Sequence, residues 1–378
     1  MKIGVIDADL IGRKKHRFPN LASMKISGYY KELGNEVKLL LNYEDIKYYD
    51  KVFISKVFTD APIDKNILKL DNVEYGGTGF FYDKAKPLPC EIEHHMPDYH
   101  LYDEWVQERL SSGEKRKNLE YYLDHSIGYS TRGCFRQCSF CVNKNYKKVL
   151  KNSGINEFLD KDRKYICLLD DNILGYSGWK DIFNELNSTG KKFQFKQGMD
   201  ERLLTDEKAE IILNSNYYGD YIFAFDNIED KNIIIEKLKI WNNHRKTKGD
   251  NTKFYVLCGY DRENKYDYNF WVKDIEDTFE RIKILNDNGC LPYIMRYKEY
   301  ENSPYRGTYI NLSAWCNQPS LFRKMTYREF CVANQNRTKT DKLCSQMRYM
   351  LEIEKDLPNI SKKYFDIKFD NIGNKCNR

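Results

Sequence analysis

Gly128-Tyr-Ser-Thr-Arg-Gly-Cys-Phe-Arg-Gln-Cys-Ser-Phe-Cys141 decides how the rest of the chain is read. Three thiols, Cys134, Cys138 and Cys141, stand at spacings of four and three within one short loop. A loop this compact can wrap a single metal centre with no help from distant sequence. A site held wholly by cysteines, whether structural zinc or an iron–sulfur cluster, calls for a fourth protein thiolate. The sequence offers no obvious fourth nearby, so the triplet points to a [4Fe–4S] cluster with one iron left open to a ligand that is not protein. That open corner is where chemistry is expected. The competing reading is a structural zinc loop or three unrelated thiols, although zinc motifs usually show paired Cys/His dyads.

The spacing Cys-x3-Cys-x2-Cys has Phe140 just before its last cysteine, and it follows an apparent strand from Ser126 to Thr131 and a turn at Gly133. In these features it resembles the signature of radical S-adenosylmethionine (SAM) enzymes. The resemblance implies that Cys134, Cys138 and Cys141 ligate the cluster and that the amino and carboxylate groups of SAM chelate the open iron. It also implies that an electron from the cluster cleaves the sulfonium to a 5′-deoxyadenosyl radical, which abstracts hydrogen from a substrate. A flavodoxin or ferredoxin would supply that electron. The protein's share is to bind, orient and exclude solvent, while the cofactor carries the hard step.

Size and charge narrow the setting. With 378 residues the chain suits two domains, or one barrel with an appendage. Its 62 basic and 56 acidic residues leave a formal charge of +6, too mild at this length to imply a nucleic-acid partner by itself. Eleven cysteines is an odd count, and Asp7 and Asp9 interrupt any apolar start, so neither a signal peptide nor a disulfide scaffold is expected. An oxygen-labile cluster wants the same reducing, cytoplasmic setting. No apolar run approaches membrane-spanning length, and no membrane partner is expected.

Upstream of the cysteine loop, Lys2 to Ile6, Glu36 to Leu41, Lys51 to Val57 and a run near Val73 read as strands. A helical stretch opens at Pro19 and stops near Gly34, with Leu21, Met24, Ile26 and Tyr30 on its inner face. Strands, helix and glycines at strand ends give the pattern of a parallel, Rossmann-like sheet over residues 1–85. Pro19 to Gly28, Gly34-Asn-Glu-Val37 and the pair Gly76-Gly77 resemble the cobalamin-binding domain that precedes the barrel in one branch of the radical SAM enzymes. Where that domain elsewhere carries Asp-x-His-x-x-Gly, this chain has Asp7-Ala-Asp-Leu-Ile-Gly12, with aspartate in place of the cobalt-ligating histidine. Cobalamin is therefore an open cofactor, and a histidine-ligated form is not expected. Residues 86–125 read as a linker, and Cys90, His94, His95 and His100 line a cleft in that reading; the alternative is a zinc site, whose paired spacing they lack.

From Ser126 onward, strand-like runs begin near Ser126, Tyr165, Phe193, Tyr221, Lys253 and Leu291. The steps between them leave room for one strand, one helix and their loops, so residues 126–305 are expected to form a partial (β/α)6 TIM-type barrel with its catalytic groups at the carboxyl ends of the strands. Lys273 to Asn288 illustrates an intervening helix, with Ile275, Phe279, Ile282 and Leu285 on one stripe and Gly289 as a stop.

The strand ends carry polar residues. After Tyr165-Ile-Cys-Leu-Leu169 come Asp170, Asp171 and Asn172, where most radical SAM enzymes place a Gly-Gly-Glu type segment for the SAM ammonium. A carboxylate suits an ammonium, and it also caps a helix well. After the next strand come Gln197, Asp200 and Arg202, the arginine able to grip a carboxylate through its planar fork. Asp226 and Gly259 follow the fourth and fifth strands, where the resemblance places ribose and adenine contacts. Together with Phe140 these are the expected cofactor-binding residues.

Residues 306–378 read as a helical extension. Its Cys316, Cys331, Cys344 and Cys376 could hold an auxiliary cluster, but their intervals match no tight motif. Lys362, Lys363, Lys368, Lys375 and Arg378 read as a solvated basic end. The expected architecture is α/β, with a Rossmann-like sheet, a partial barrel and a helical tail. The expected function is radical SAM chemistry on a small molecule, peptide or nucleotide, by hydrogen abstraction or cobalamin-dependent methyl transfer. The other class in play is a non-enzymatic zinc or iron–sulfur module of the kind that associates with nucleic acid.

Overall fold

The structure is a computed structural model, and it describes all residues except 14, 145, 246–250, 340–341 and 370–378. Cys376, Lys375 and Arg378 thus lie outside the described residues. The protein is α/β with parallel sheets and a helical C-terminal region. The chain divides into two compact units, Met1–Lys196 and Gln197–Arg378.

The first unit opens with a four-stranded parallel sheet of β1 (Lys2–Asp7), β2 (Glu36–Leu39), β3 (Lys51–Ser55) and β4 (Val73–Gly76), in the order β2-β1-β3-β4. Five successive residues of β1 are buried, as expected of a central parallel strand covered on both faces. The helix Leu21–Glu32 starts where Asn20 accepts from the Ser23 N–H at 3.1 Å. Residues read as a linker carry much of the core here. Ile92, Tyr99, Leu101, Tyr102, Trp105, Val106, Leu119 and Tyr122 pack with Ile3, Val5, Met24, Ile26 and Phe53.

The same unit holds a second parallel sheet of β5 (His125–Gly128), β8 (Tyr165–Leu168) and β9 (Lys192–Phe195). The strand expected to run to Thr131 ends at Gly128. A short antiparallel ribbon follows, pairing β6 (Thr131–Arg132) with β7 (Leu150–Lys151), and the cysteine loop is its connection. Gly128 lies against the Phe158 ring so closely that a Cβ there would stand 2.3 Å from a ring carbon.

The second unit contains β10 (Tyr221–Ala224), β11 (Thr252–Cys258) and β12 (Leu291–Arg296), parallel and paired in chain order. The helix Tyr268–Asp287 begins one turn earlier than its apolar stripe suggested, because Asp267 accepts from the Phe270 N–H at 2.8 Å. Ile275, Phe279, Ile282 and Leu285 are buried, and Gly289 ends the helix at φ 66°. Among the described residues, five helices follow between Arg306 and Tyr364. Phe279 meets Tyr327, Tyr364 and Phe365 ring to ring, joining that region to the core of its unit. Among the described residues no helix is long and apolar enough to cross a membrane.

Candidate functional site

The cysteine loop leaves the carboxyl end of β5 and is fastened to the carboxyl end of β8. Asp170 is 2% exposed and its carboxylate accepts four hydrogen bonds from the loop's root. Oδ1 receives the Thr131 N–H at 2.6 Å, the Thr131 hydroxyl at 2.7 Å and the Ser130 hydroxyl at 2.5 Å, and Oδ2 receives the Ser130 N–H at 3.1 Å. Those backbone N–H groups have left the sheet ladder, so the carboxylate supplies the partners that buried amides need. Burial pushes the Asp170 carboxyl up to about 6, against the opposing pull of these donors. Asp171 continues the attachment by accepting the Gly133 N–H at 2.7 Å, and burial raises its pKa as well. The acidic pair expected near the SAM ammonium is thus placed against the backbone that carries the thiols.

Gly133 makes the bend possible. Its φ is 98°, and a Cβ there would stand 2.3 Å from the Lys148 carbonyl oxygen. Farther along, Gln137 adopts φ 48° and donates from Nε2 to the carbonyls of Cys134 at 2.9 Å and Tyr146 at 2.7 Å. Lys144 donates to the carbonyls of Gln137 and Cys138. The loop therefore has internal cross-ties.

The sulfurs act as acceptors. Cys134 Sγ receives the Arg136 N–H and the Asn172 Nδ2–H, each at 3.4 Å, and Cys141 Sγ receives the Asn143 N–H at 3.4 Å. Burial raises the Cys141 pKa, with Asp171 and Cys134 adding in the same direction. All three cysteines are partly exposed. Phe140 accepts at its carbonyl from the Tyr82 hydroxyl at 3.1 Å, a link to the segment after β4.

A charge bridge reaches the loop's root from the helix Leu21–Glu32. Lys25, 3% exposed, donates to Glu93 Oε1 at 3.1 Å, and the same oxygen meets Arg132 at 3.5 Å. Arg132 lies over the Tyr129 ring at 3.4 Å. Neither Lys25 nor Glu93 stood out in the sequence. An acid in a histidine-rich segment was the only signal, and it pointed elsewhere.

The remaining expected residues belong to the second unit. Arg202 is ion-paired on both sides, to Asp200 at 2.7 Å and Asp230 at 2.8 Å. Asp226 accepts the Leu257 N–H at 3.1 Å, and burial pushes its carboxyl up to about 6. Gly259 has φ 73° and gives its N–H to Asp274 at 2.8 Å, while Tyr309 donates to the same Asp274 oxygen at 2.7 Å. The buried Arg281 guanidinium donates to the carbonyls of Phe225, Asp226 and Leu257 at 3.1, 2.7 and 2.8 Å. Gln197 opens this unit in the chain.

Set against protein-family models, curated proteins and solved structures, the chain matches none. Its site is read from its own geometry.

Among the described residues, no group of three or more His, Cys, Asp or Glu side chains is arranged to hold one metal ion. The histidine-rich segment is instead paired residue by residue. His94 meets Glu157 at 2.8 Å, His95 meets Glu32, and His100 meets Asp103 at 2.8 Å, while Cys90 is exposed. Cys316 and Cys331 are buried, and Cys344 accepts the Met347 N–H at 3.4 Å as a helix cap. At the end of β1, Asp7 caps the next turn and Asp9 turns inward, accepting the Val57 and Phe58 N–H groups at 2.6 and 3.2 Å.

Proposed function

We propose that the chain is a radical SAM enzyme in which Cys134, Cys138 and Cys141 hold a [4Fe–4S] cluster. The observation that carries the reading is the fastening of a three-cysteine loop to the carboxyl end of β8 by Asp170 and Asp171. Loops at strand carboxyl ends are where α/β folds keep their reactive groups. The donor set fits the group. Each cubane thiolate occupies its own iron, so three cysteines in one loop suit a cluster whose fourth iron is left to another ligand.

When bound, the cluster would supply the one electron that breaks a C–S bond of the SAM sulfonium, giving methionine and the 5′-deoxyadenosyl radical. The chain's own residues do the rest. Asp170 holds Ser130 and Thr131, Asp171 holds Gly133, and together they fix the stem from which all three thiolates project. Gln197, Asp200, Arg202, Asp226 and the turn at Gly259 are proposed to meet the polar groups of SAM, with Phe140 beside it. In this reading β5-β8-β9 and β10-β11-β12 are two halves of a partial (β/α)6 barrel, each parallel and in chain order. The electron enters from a flavodoxin- or ferredoxin-type donor. Asp9 has both oxygens on backbone N–H groups, so the position offers no ligand to cobalt, and no step is assigned to cobalamin.

Anaerobic reconstitution with iron and sulfide, followed by dithionite and SAM, tests the proposal by the release of 5′-deoxyadenosine. Expected are roughly four irons per chain, product from the wild type, and loss of both in Cys134→Ala, Cys138→Ala and Cys141→Ala. Zinc alone on elemental analysis, or a loaded protein that binds SAM and never forms the product, sinks it.

A further inference from the structure

Asn172 stands at the start of the 3-10 turn Ile173–Gly175, a place where an asparagine side chain ordinarily caps its own turn. It does not. Its backbone carbonyl accepts the Gly175 N–H at 3.0 Å, but its side chain makes no capping bond. The amide points instead at the cysteine loop, with Nδ2 3.4 Å from Cys134 Sγ. Gly175 leaves the space for this, since a Cβ there would stand 3.3 Å from Nδ2 and 2.9 Å from the Phe135 ring.

The other end of the amide makes the choice conspicuous. Asn172 is 2% exposed, and among the described residues its buried Oδ1 has no hydrogen-bond partner. A bare buried acceptor is costly, and a neutral thiol is too weak an acceptor to offset it. A thiolate, or a cluster sulfur carrying negative charge, is a stronger one because the bond becomes charge-assisted. The Arg136 N–H already donates to the same sulfur, so Cys134 collects two donors. Hydrogen bonds to ligand sulfurs are one of the ways a protein sets the reduction potential of a cluster.

We propose that Asn172 raises the reduction potential of the cluster through its N–H···S bond to Cys134, an inference that rests on the cluster reading above. Reduction adds one electron from the flavodoxin- or ferredoxin-type donor, and with it one negative charge; no bond forms or breaks. The amide dipole, held in a buried setting of low dielectric, stabilises that added charge. Removing the donor makes reduction harder without removing a ligand.

The test is a potentiometric titration of the reconstituted full-length protein, followed by the electron paramagnetic resonance signal of the reduced cluster. Asn172→Ala should cut the reduced-to-oxidised ratio at a fixed potential about tenfold, which is about 59 mV for a one-electron couple. Asn172→Asp keeps the shape, replaces the donor with an acceptor, and should shift the midpoint further in the same direction. Midpoints within a factor of two of the wild-type ratio in both variants overturn the inference. Loss of iron from both variants overturns it too, because a residue that only sets the potential is not needed to hold the metal. A wild type that takes up no cluster ends both proposals. A wild type that forms 5′-deoxyadenosine beside variants of unchanged midpoint ends only this one.

Discussion

The carboxyl ends of two three-stranded parallel sheets carry the same kinds of residue and use them differently. Beyond β8, Asp170, Asp171 and Asn172 all turn to a loop of cysteines. Beyond β10 and β11, Asp226, Asp274 and Arg281 turn to strand-end backbone and to Tyr309. One set holds a segment that carries three cysteines; the other closes the strand ends of its own unit. Residue type at a strand end therefore says little about role. What the second oxygen or nitrogen of the side chain meets says much more.

The sharpest way to break that contrast is at Arg281. Its guanidinium also donates to Thr278 and to the Asp277 carbonyl, so truncation leaves several buried acceptors bare. Arg281→Ala is expected to lower unfolding stability by about 3–5 kcal/mol. Arg281→Lys should recover only part, because an ammonium placed where Nη1 meets the three carbonyls leaves the Asp277 carbonyl and the Thr278 hydroxyl without the donors that Nε and Nη2 supply. Denaturant unfolding checks both. A loss below 1 kcal/mol for the alanine variant would show that the second network is ornamental.

Asp170→Ala comes next. It strands the Ser130 and Thr131 N–H groups, and a loss of about 3 kcal/mol is expected. The more telling readout is limited proteolysis, which should open the chain between Thr131 and Lys151 in the variant before it cuts anywhere in the second unit. Cleavage at an unchanged rate there would remove the claim that this acid holds the loop.

Acidity sharpens the comparison from another side. Asp170 and Asp226 are both pushed up to about 6 by burial, and Asp7, under the Tyr102 hydroxyl at 2.9 Å, to about 7. A carboxyl whose folded pKa lies above its unfolded one stabilises the fold fully below the unfolded value near 3.8, and that contribution is lost as pH rises through the folded value. Stability should thus decline between about pH 4 and pH 7. For Asp170 alone the span is worth roughly 2–3 kcal/mol. Asp7→Asn, which keeps the cap, should flatten the upper part of that decline, from pH 6 to 7. An unfolding midpoint that stays level across this range in the wild type contradicts the burial argument.

Much of the fold was legible because it is written locally. The β-branched and aromatic runs at Tyr165, Phe193, Tyr221 and Leu291 each became a strand within a residue of where they begin, and the stripe Ile275, Phe279, Ile282 and Leu285 became the buried face of a helix. The cysteine loop was legible for the same reason, since its spacing lies within eight residues. What could not be read depends on contacts across long separations. The strand expected to reach Thr131 stops at Gly128 because the Phe158 ring closes over it and Asp170, forty residues beyond Ser130, takes the next amides. Arg202 looked like a free fork in sequence, yet Asp230 lies twenty-eight residues away and holds it. Prolines at the start of residues 86–125 suggested a connection, and only the sheet reveals that Trp105 and Tyr122 belong to its core.

The smallest effect expected concerns a buried acid beyond β9. Glu201 follows Asp200 in the turn Glu201–Leu203, is fully buried, and among the described residues has no hydrogen-bond partner for either carboxyl oxygen. Burial, then the neighbouring Asp200 charge, raises its pKa well above the ordinary glutamate value, while Lys237 opposes. Such a group stabilises the fold fully only below the unfolded value near 4.5, and that contribution is lost as pH climbs. Glu201→Met, which keeps the volume and removes the uncompensated oxygens, should raise stability by about 1–2 kcal/mol at pH 7 and by less at pH 4. If the gain is equal at both pH values, the carboxyl titrates alike in the folded and unfolded chain, and the argument that burial raises its pKa fails. If the substitution destabilises, Glu201 has a partner that the native chain recruits, and this strand end would join the cysteine loop as a place where polar groups face outward for use.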